Sequence, residues 1–520
     1  MRQQEVLVAS AAAFCGVLWV VRKDVALWLR LRLWLLSKVK SVVLSRVKVA
    51  VSTLLDESLK DLADDEGFVL CDVTLEKGII TKVTASKSHG LLDCRKAVLF
   101  PCFADAHTHA IKANAVPRTR NPTGSMTGAL LAESDDIATW WSTEGDVKRR
   151  MRFALECAYH HGTKYVRTHL DGSVSALPEV RANVWKSFDE LRSEFEKKGL
   201  VLQGVANLFL TLWGDEERAE EHADEAKKHQ GTVLGSYCGN VSQQPLEVTI
   251  SCMDGLFAQA IRTSMDVDLH IDETNDPKAN GLWALISSLK KAKINGFKGK
   301  VLLGHCTALS LRDDAQDIIT SLAEFGDSVF VVANPFSNLR LQDRRGSAPP
   351  FSIAIPPELP RTPQWRGLTL VQELRAQNVP VACASDNVRD FWRPYGDYDL
   401  LAAFAEAIAI GHLDTAPTEG SWVDMVTCLP TKIFEQHQKG FIAKGQPADL
   451  IIFPRARRAS ELFSRPHNDR IVIRHGRPQF SALPDFIVLD DLVDKKTNRT
   501  NLPSNDNKDD TTAADLLRFK

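Results

Sequence analysis

Hydrophobic and polar positions along the chain follow two patterns. Between residues 147 and 382, short apolar runs with strand character (164–168, 201–210, 233–237, 267–271, 301–303, 329–333 and 379–382) alternate with stretches of helical periodicity. Those helical stretches are 147–159, 180–197, 217–228, 282–292, 311–325 and 368–376. An apolar run at 97–103 opens the series and brings the strand candidates to eight. Alternation of this kind implies parallel pairing with helical crossovers, and eight units closing on themselves form a (β/α)8 TIM-type barrel. An open doubly wound sheet would carry Gly-x-Gly-x-x-Gly after its first strand, and none follows it here. The stretch 112–144, with Pro117, Pro122, Gly124 and Gly128, reads as irregular.

Outside the barrel the periodicity changes to two. Runs at 68–75, 77–80 and 82–83 are short strands around Gly78, and strands return at 448–453 and 470–474, before Gly476. A small β-sandwich assembled from 67–97 and 438–480 is therefore expected beside a barrel spanning 98–437, with further helices at 400–410 and 423–436. The Asp-, Lys-, Asn- and Thr-rich tail 490–520 is expected to be disordered apart from a short helix at 512–519.

The front of the chain is different again. Residues 6–21 are uncharged and mostly apolar, and between Arg22 and Lys48 eight basic residues face one acidic one. This predicts that 1–60 associates with a membrane, as a spanning helix or as a surface helix with Trp28 and Trp34 at the headgroups, or serves as an organelle-targeting segment.

Composition narrows the chemistry. With 64 basic against 66 acidic side chains in 520 residues, the chain has no charge bias toward nucleic acid. Its ten cysteines are scattered without a Cys-x-x-Cys pair, which argues for a reducing compartment and against a disulfide scaffold or the small zinc nucleobase-deaminase fold.

Chemistry in a parallel barrel sits at the C-terminal strand ends. Here those ends carry His107 and His109, His169 and Asp171, His270 with Asp272 and Glu273, His305, Asn334 and Asp386, so that five of the fourteen histidines occupy them. Three imidazoles and a carboxylate, His107, His109, His270 and Asp386, suit one divalent zinc or iron ion with room for a water. Glu273 is placed to pass a proton without ligating, and His305 to orient the attacking water. Asp386 and Glu273 also suit helix N-caps, and His169 with Arg167 and Asp171 reads as support for the barrel mouth. Residues 233–240 hold no lysine to bridge a second ion, which favours a mononuclear site.

The motifs Phe-Ala-Asp-Ala-His-Thr-His (103–109), Val-Arg-Thr-His-Leu-Asp (166–171), His-Ile-Asp-Glu (270–273), Gly-His-Cys-Thr-Ala-Leu (304–309), Val-Ala-Asn-Pro-Phe-Ser-Asn-Leu-Arg-Leu-Gln-Asp-Arg (332–344) and Ala-Ser-Asp-Asn-Val-Arg-Asp (384–390) resemble the amidohydrolase superfamily, in its cytosine-deaminase-like branch. The resemblance implies one zinc or iron held by His107, His109, His270 and Asp386, with protons handled by Glu273, His305 and Asp386. It also implies a return strand of the small β unit at 445–450. The implied reaction is hydrolytic deamination of a heterocyclic amidine-like substrate, cytosine or a related base, by a metal-activated water. A cyclic-amide hydrolase of the same fold and a catalytically silent membrane-tethered barrel are the alternatives. Two departures stand out: Ala110-Ile111-Lys112 lacks the acid that relatives place after the histidine pair, and Phe209 stands where cytosine deaminases offer a glutamine, with Gln342 as a substitute. His169, Phe209, Asn334, Gln342 and Asn387 complete the expected substrate-facing set. The expected partners are a small heterocycle and a membrane, and self-association is compatible with such a chain.

Overall fold

The computed structural model describes residues 26, 29–30, 33, 41–87, 90, 92–238, 244–343, 362–434 and 439–493. They fall into two compact units. One takes the described residues up to Phe103 with those of Asp414–Lys432 and Gln436–Ala482, and the other takes those of Ala104–Leu413, Ile433–Glu435 and Leu483–Lys520.

The first unit is an eight-stranded, mostly antiparallel sheet. Its strands before the barrel are β1 (Ser41–Ala50), β2 (Phe68–Glu76), β3 (Ile79–Ala85), β4 (Leu92–Asp93) and β5 (Val98–Pro101). The barrel strands follow as β6 (Phe103–Thr108), β7 (Thr163–His169), β8 (Val201–Phe209), β9 (Thr232–Tyr237), β10 (Val267–Ile271), β11 (Val301–His305), β12 (Val329–Ala333) and β13 (Val381–Cys383). After them β14 (Leu450–Phe453), β15 (Ile471–Arg474) and β16 (Arg477–Pro478) return to the first sheet, where β14 pairs antiparallel with β5. Leu99, Leu450, Ile452, Ile471 and Ile473 are buried together in its core.

The front of the chain requires a correction. Residues 6–21 lie outside the described residues, and among the described ones no helix is long and apolar enough to cross a membrane. The basic stretch runs into β1, which pairs with β2. There Leu44, Val47 and Val49 are buried, while Arg46 pairs with Asp93 at 2.7 Å and Lys48 with Asp64 at 2.6 Å. Those charges belong to the period-two face of a half-buried strand rather than to a membrane flank. The transmembrane and membrane-anchor readings, the localisation drawn from them and the tethered scaffold fall with this finding.

In the second unit, β6 to β13 form one parallel sheet in sequence order. A parallel bridge between Thr108 and Asp386 joins its two ends, supported by Asp386 N–H donating to the His107 carbonyl at 3.0 Å. Below the bridge, buried Asp105 accepts from the Ser385 amide at 3.1 Å and from its hydroxyl at 2.5 Å. Closure therefore sets the end of the last strand beside the end of the first.

Several local expectations change. The run 97–103 divides at Cys102: Val98–Pro101 lies in the first sheet, and Phe103 opens the first barrel strand, which continues to Thr108. The stretch expected to be irregular contains a helix, Met126–Trp140, capped by Ser125, whose hydroxyl accepts the Gly128 amide. Helix Leu246–Thr263 was not signalled by its interrupted apolar pattern; Gly255 lets it approach a turn so closely that a Cβ would lie 2.0 Å from the Trp213 carbonyl oxygen. The helix expected at 423–436 is broken into short turns, Val423–Val426, Cys428–Thr431 and Lys432–Phe434. Residues up to 493 are described, and Phe486–Leu492 forms a 3-10 segment, while 512–519 lies outside the described residues.

The loop after β6 is fixed by a buried charge network. Arg118 grips Asp136 through two bonds of 2.8 Å and also meets Asp146, which Arg150 holds at 2.7 Å. Trp141 and Thr119 donate to Asp136, each at 2.8 Å. Burial opposes the charge on Asp146, but Arg150 and Arg118 outweigh it and hold the carboxyl below its ordinary pKa. The stability this contributes is present above the unfolded carboxylate pKa of about 3.9 and is lost as pH falls through the depressed folded value. Asp136→Ala, which removes the bidentate partner of the buried Arg118 and the acceptor of Trp141 and Thr119 while leaving Asp146, should cost about 3–5 kcal/mol in denaturant unfolding. Asp146→Asn should flatten the acid limb of the stability–pH curve below about pH 4.

Candidate metal centre and active site

The strand ends converge on a buried cluster. Ligand atoms of His107, His109, His169 and His270 lie within 4.8 Å of one another, and so do those of His107, His305 and Asp386. His109 Nε2 is 3.1 Å from His270 Nε2, and Asp386 Oδ1 lies 3.4 Å from His109 Nε2 and 3.7 Å from His107 Nε2. Burial, followed by the neighbouring charges, lowers the pKa of all five histidines, that of His305 to about 3. Burial thus favours the neutral form of each ring, the form that can offer a lone pair.

The strand following β6 orients both of its histidines. Asp171 accepts the Nδ1–H of His109 at 2.7 Å, which turns the Nε2 lone pair into the cluster. His169 Nε2 stands 3.2 Å from His107 Nδ1, while its own Nδ1 faces the Asn207 carboxamide, with the nitrogen at 3.0 Å and the oxygen at 3.4 Å. Both nitrogens of His169 are thus occupied by protein, whereas His107 Nε2 and both oxygens of Asp386 are buried without a hydrogen-bond partner among the described residues. An unpartnered carboxylate facing imidazole lone pairs in a dry site is costly unless a cation sits between them. The donor set fits a divalent metal.

Asp171, which holds His109, is itself tied into a charge network. Lys112 is buried and lies 3.3 Å from Asp171 and 3.2 Å from Glu133, and Trp392 Nε1 donates to Glu133 at 2.7 Å. His109 is thereby linked through Asp171, Lys112, Glu133 and Trp392, the second and last of them buried, to helix Met126–Trp140 and to the loop after β13. Neither Lys112 nor Glu133 was marked by the sequence reading, because their link spans 21 residues and depends on the unanticipated helix.

Glu273 lies on the other side of the cluster, with Oε1 3.3 Å from His305 Nδ1. Burial, then the nearby Asp386, raises its pKa well above the usual carboxylate value. Its neighbour Asp272 performs the capping that Glu273 also suited: Asp272 accepts the Gly281 and Leu282 amides at 2.9 and 3.1 Å. Nor does Asp386 cap a helix. His305 is held by Asn338 Nδ2 at 3.0 Å from Nδ1, with Asn334 Nδ2 3.4 Å away. Asn338, four residues after Asn334 on helix Pro335–Leu341, was legible from its spacing but not singled out.

Backbone strain concentrates at these positions. His305 (φ 71°), Asp386 (φ 57°) and Asp272 (φ 48°) are all left-handed, a conformation costing roughly 1–2 kcal/mol each for residues with a Cβ. A side chain at Gly304 would place its Cβ 2.7 Å from His107 Cε1.

The remaining substrate-facing candidates separate. Phe209 ends β8, is 40% exposed and meets Tyr237 edge-on at 6.0 Å; Tyr237 in turn meets His270 at 5.9 Å. Gln342 is buried with its amide 3.9 Å from Met126 Sδ. Asn387 donates to Asp390 at 2.8 Å and accepts from Ser337 at 3.4 Å, so its amide is engaged by protein.

Known proteins resemble this chain in sequence and in fold. A family model described as "Amidohydrolase family" matches residues 184–480. A pterin deaminase from Rhizobium rhizogenes is 37% identical over 434 residues, covering 82% of this chain and 92% of that protein. An N-isopropylammelide isopropyl amidohydrolase from Pseudomonas sp. is 24% identical, covering 69% and 81%. The crystal structure of 5-methylcytosine deaminase from Klebsiella pneumoniae liganded with phosphonocytosine superposes with a TM-score of 0.66 at 20% identity, covering 85% of this chain and 98% of that one.

Two substitutions test the site. Gly304→Ala should displace His107 and lower the metal content of purified protein, read by elemental analysis. Asp171→Asn should weaken metal affinity by about 10–100-fold, measured by chelator competition on folded protein.

Proposed function

Because the chain belongs to the amidohydrolase family and is a hydrolase of carbon–nitrogen bonds other than peptide bonds, we propose that it deaminates a heterocyclic ring hydrolytically, with a pterin as its first candidate substrate. The observation that carries this reading is the buried set of His107, His109, His270 and Asp386 beside the Glu273–His305 pair. A divalent metal, zinc or iron, held by His107, His109, His270 and Asp386 would lower the pKa of a bound water toward ~7 and supply a nucleophile at neutral pH.

The protein's own groups account for the rest. Glu273, buried within reach of His305, accepts a proton from the attacking water and delivers it to the ring nitrogen of the C=N unit. His305, fixed by Asn338, orients the water oxygen toward the ring carbon. Attack makes that carbon tetrahedral; Asp386 takes the remaining hydroxyl proton and passes it to the exocyclic amine, which leaves as ammonia as the C=O forms. One water is consumed for each ammonia released.

The preference for a pterin over cytosine rests on two points. The pterin deaminase relative is 37% identical, against 20% for the 5-methylcytosine deaminase structure. In addition, β8 ends in an exposed phenyl ring, Phe209, instead of a carboxamide, and an aromatic face favours stacking with a larger bicyclic ring.

Metal-loaded protein assayed against pterin, cytosine, guanine, aminotriazines and cyclic amides should release ammonia, fastest from pterin. Ring opening without ammonia would transfer the protein to cyclic-amide hydrolysis. Glu273→Gln should retain metal but lose about 10²–10⁴-fold in kcat.

A further inference from the structure

Two chain segments leave the metal site side by side: residues after His109 and residues after Asp386. They are joined by backbone, with Asn114 N–H donating to the Val388 carbonyl at 3.4 Å and Val116 N–H to the Arg389 carbonyl at 3.1 Å. Arg389 Nε adds a bond to Asn114 Oδ1 at 3.0 Å. Arg389 and Asn114 are both left-handed, at φ 54° and 63°, so this junction needs external support to persist.

That support comes from the 3-10 segment Phe486–Leu492. The Phe486 ring lies 4.0 Å beneath the Arg389 guanidinium and stacks on Phe153 at 5.2 Å. Arg149 fastens the segment by a bidentate pair with Asp491, at 2.6 and 2.7 Å, and by a bond of 2.6 Å to the Val488 carbonyl. Arg118, from the buried network behind the same loop, donates to the Leu492 carbonyl at 3.3 Å. The segment is thus bound to helix Asp146–His161 on one side and to the junction on the other.

We propose that Phe486–Leu492 is a positioning strap for the metal centre. Through Phe486 and Arg389 it holds the two segments that leave His109 and Asp386 in register, and so retards loss of the ion. The strap touches no substrate or metal ligand. Its role as a retainer of metal rests on the functional reading above, whereas its effect on the junction does not.

Full-length protein is compared with Phe486→Ala, Arg149→Ala and chains ending at 482 or 493. In metal-free samples, amide hydrogen exchange is followed at Asn114 and Val116; in zinc-loaded samples, zinc release to a chromophoric chelator is timed. The chain ending at 493 should match full length. Phe486→Ala, Arg149→Ala and the chain ending at 482 should exchange faster at both amides and release zinc about tenfold faster, with excess zinc restoring occupancy. If the chain ending at 482 fails to fold, the two point variants decide by the same readouts. Unchanged exchange and zinc release in folded Phe486→Ala and Arg149→Ala would overturn the proposal. A full-length protein that binds no zinc or iron would sink the functional reading instead, while exchange at Asn114 and Val116 still decides whether the strap holds the junction.

Discussion

Barrel closure is the constraint on which everything else depends. The seam is short: one bridge between Thr108 and Asp386, one amide donated by Asp386 to the His107 carbonyl, and the Asp105–Ser385 pair beneath it. A carboxylate 277 to 279 residues along the chain from two histidines comes within 3.4–3.7 Å of them only because the eighth strand returns to the first. Desolvation then makes the arrangement selective. Buried neutral imidazoles and an unpartnered buried carboxylate are stabilised by a divalent cation far more than by any arrangement of the protein alone.

Around this seam the protein spends conformational energy. Left-handed backbone at His305 and Asp386 re-aims side chains that a regular strand would direct elsewhere, and Gly304 leaves the space that the His107 ring occupies. Support arrives from the adjacent strand, where His169 and Asp171 each fix one nitrogen of a strand-one histidine. Asp171, two residues past the end of β7, accepts the Nδ1–H of His109, and Lys112 balances its charge.

The sequence made much of this readable, for identifiable reasons. Parallel strands buried on both faces appear as apolar runs, so seven of the eight barrel strands were found within a few residues, and polar residues terminating such runs stand out against them. His107, His109, His270, His305 and Asp386 were legible on that basis. Three things were not. Arg46 and Lys48, alternating with Val47 and Val49 in β1, were counted with a membrane flank because the chain before them is apolar and basic, although period-two burial accounts for these two. Helix Leu246–Thr263 was hidden by its broken pattern and by Gly255, whose purpose is a close approach visible only in three dimensions. The links from Lys112 to Glu133 and from Phe486 to Arg389 join residues whose spacing in the chain carries no signal.

The central claim is that closure of the barrel creates one metal site from His107, His109, His270 and Asp386, with His169 supporting rather than ligating. Anomalous scattering from crystals of zinc- or iron-loaded protein tests it most directly. The account predicts a single peak bonded to three imidazoles and to a carboxylate oxygen of Asp386, with His169 outside the coordination sphere. Two peaks, a site that includes His169 in place of Asp386, or no peak in a folded and metal-supplied protein would contradict it.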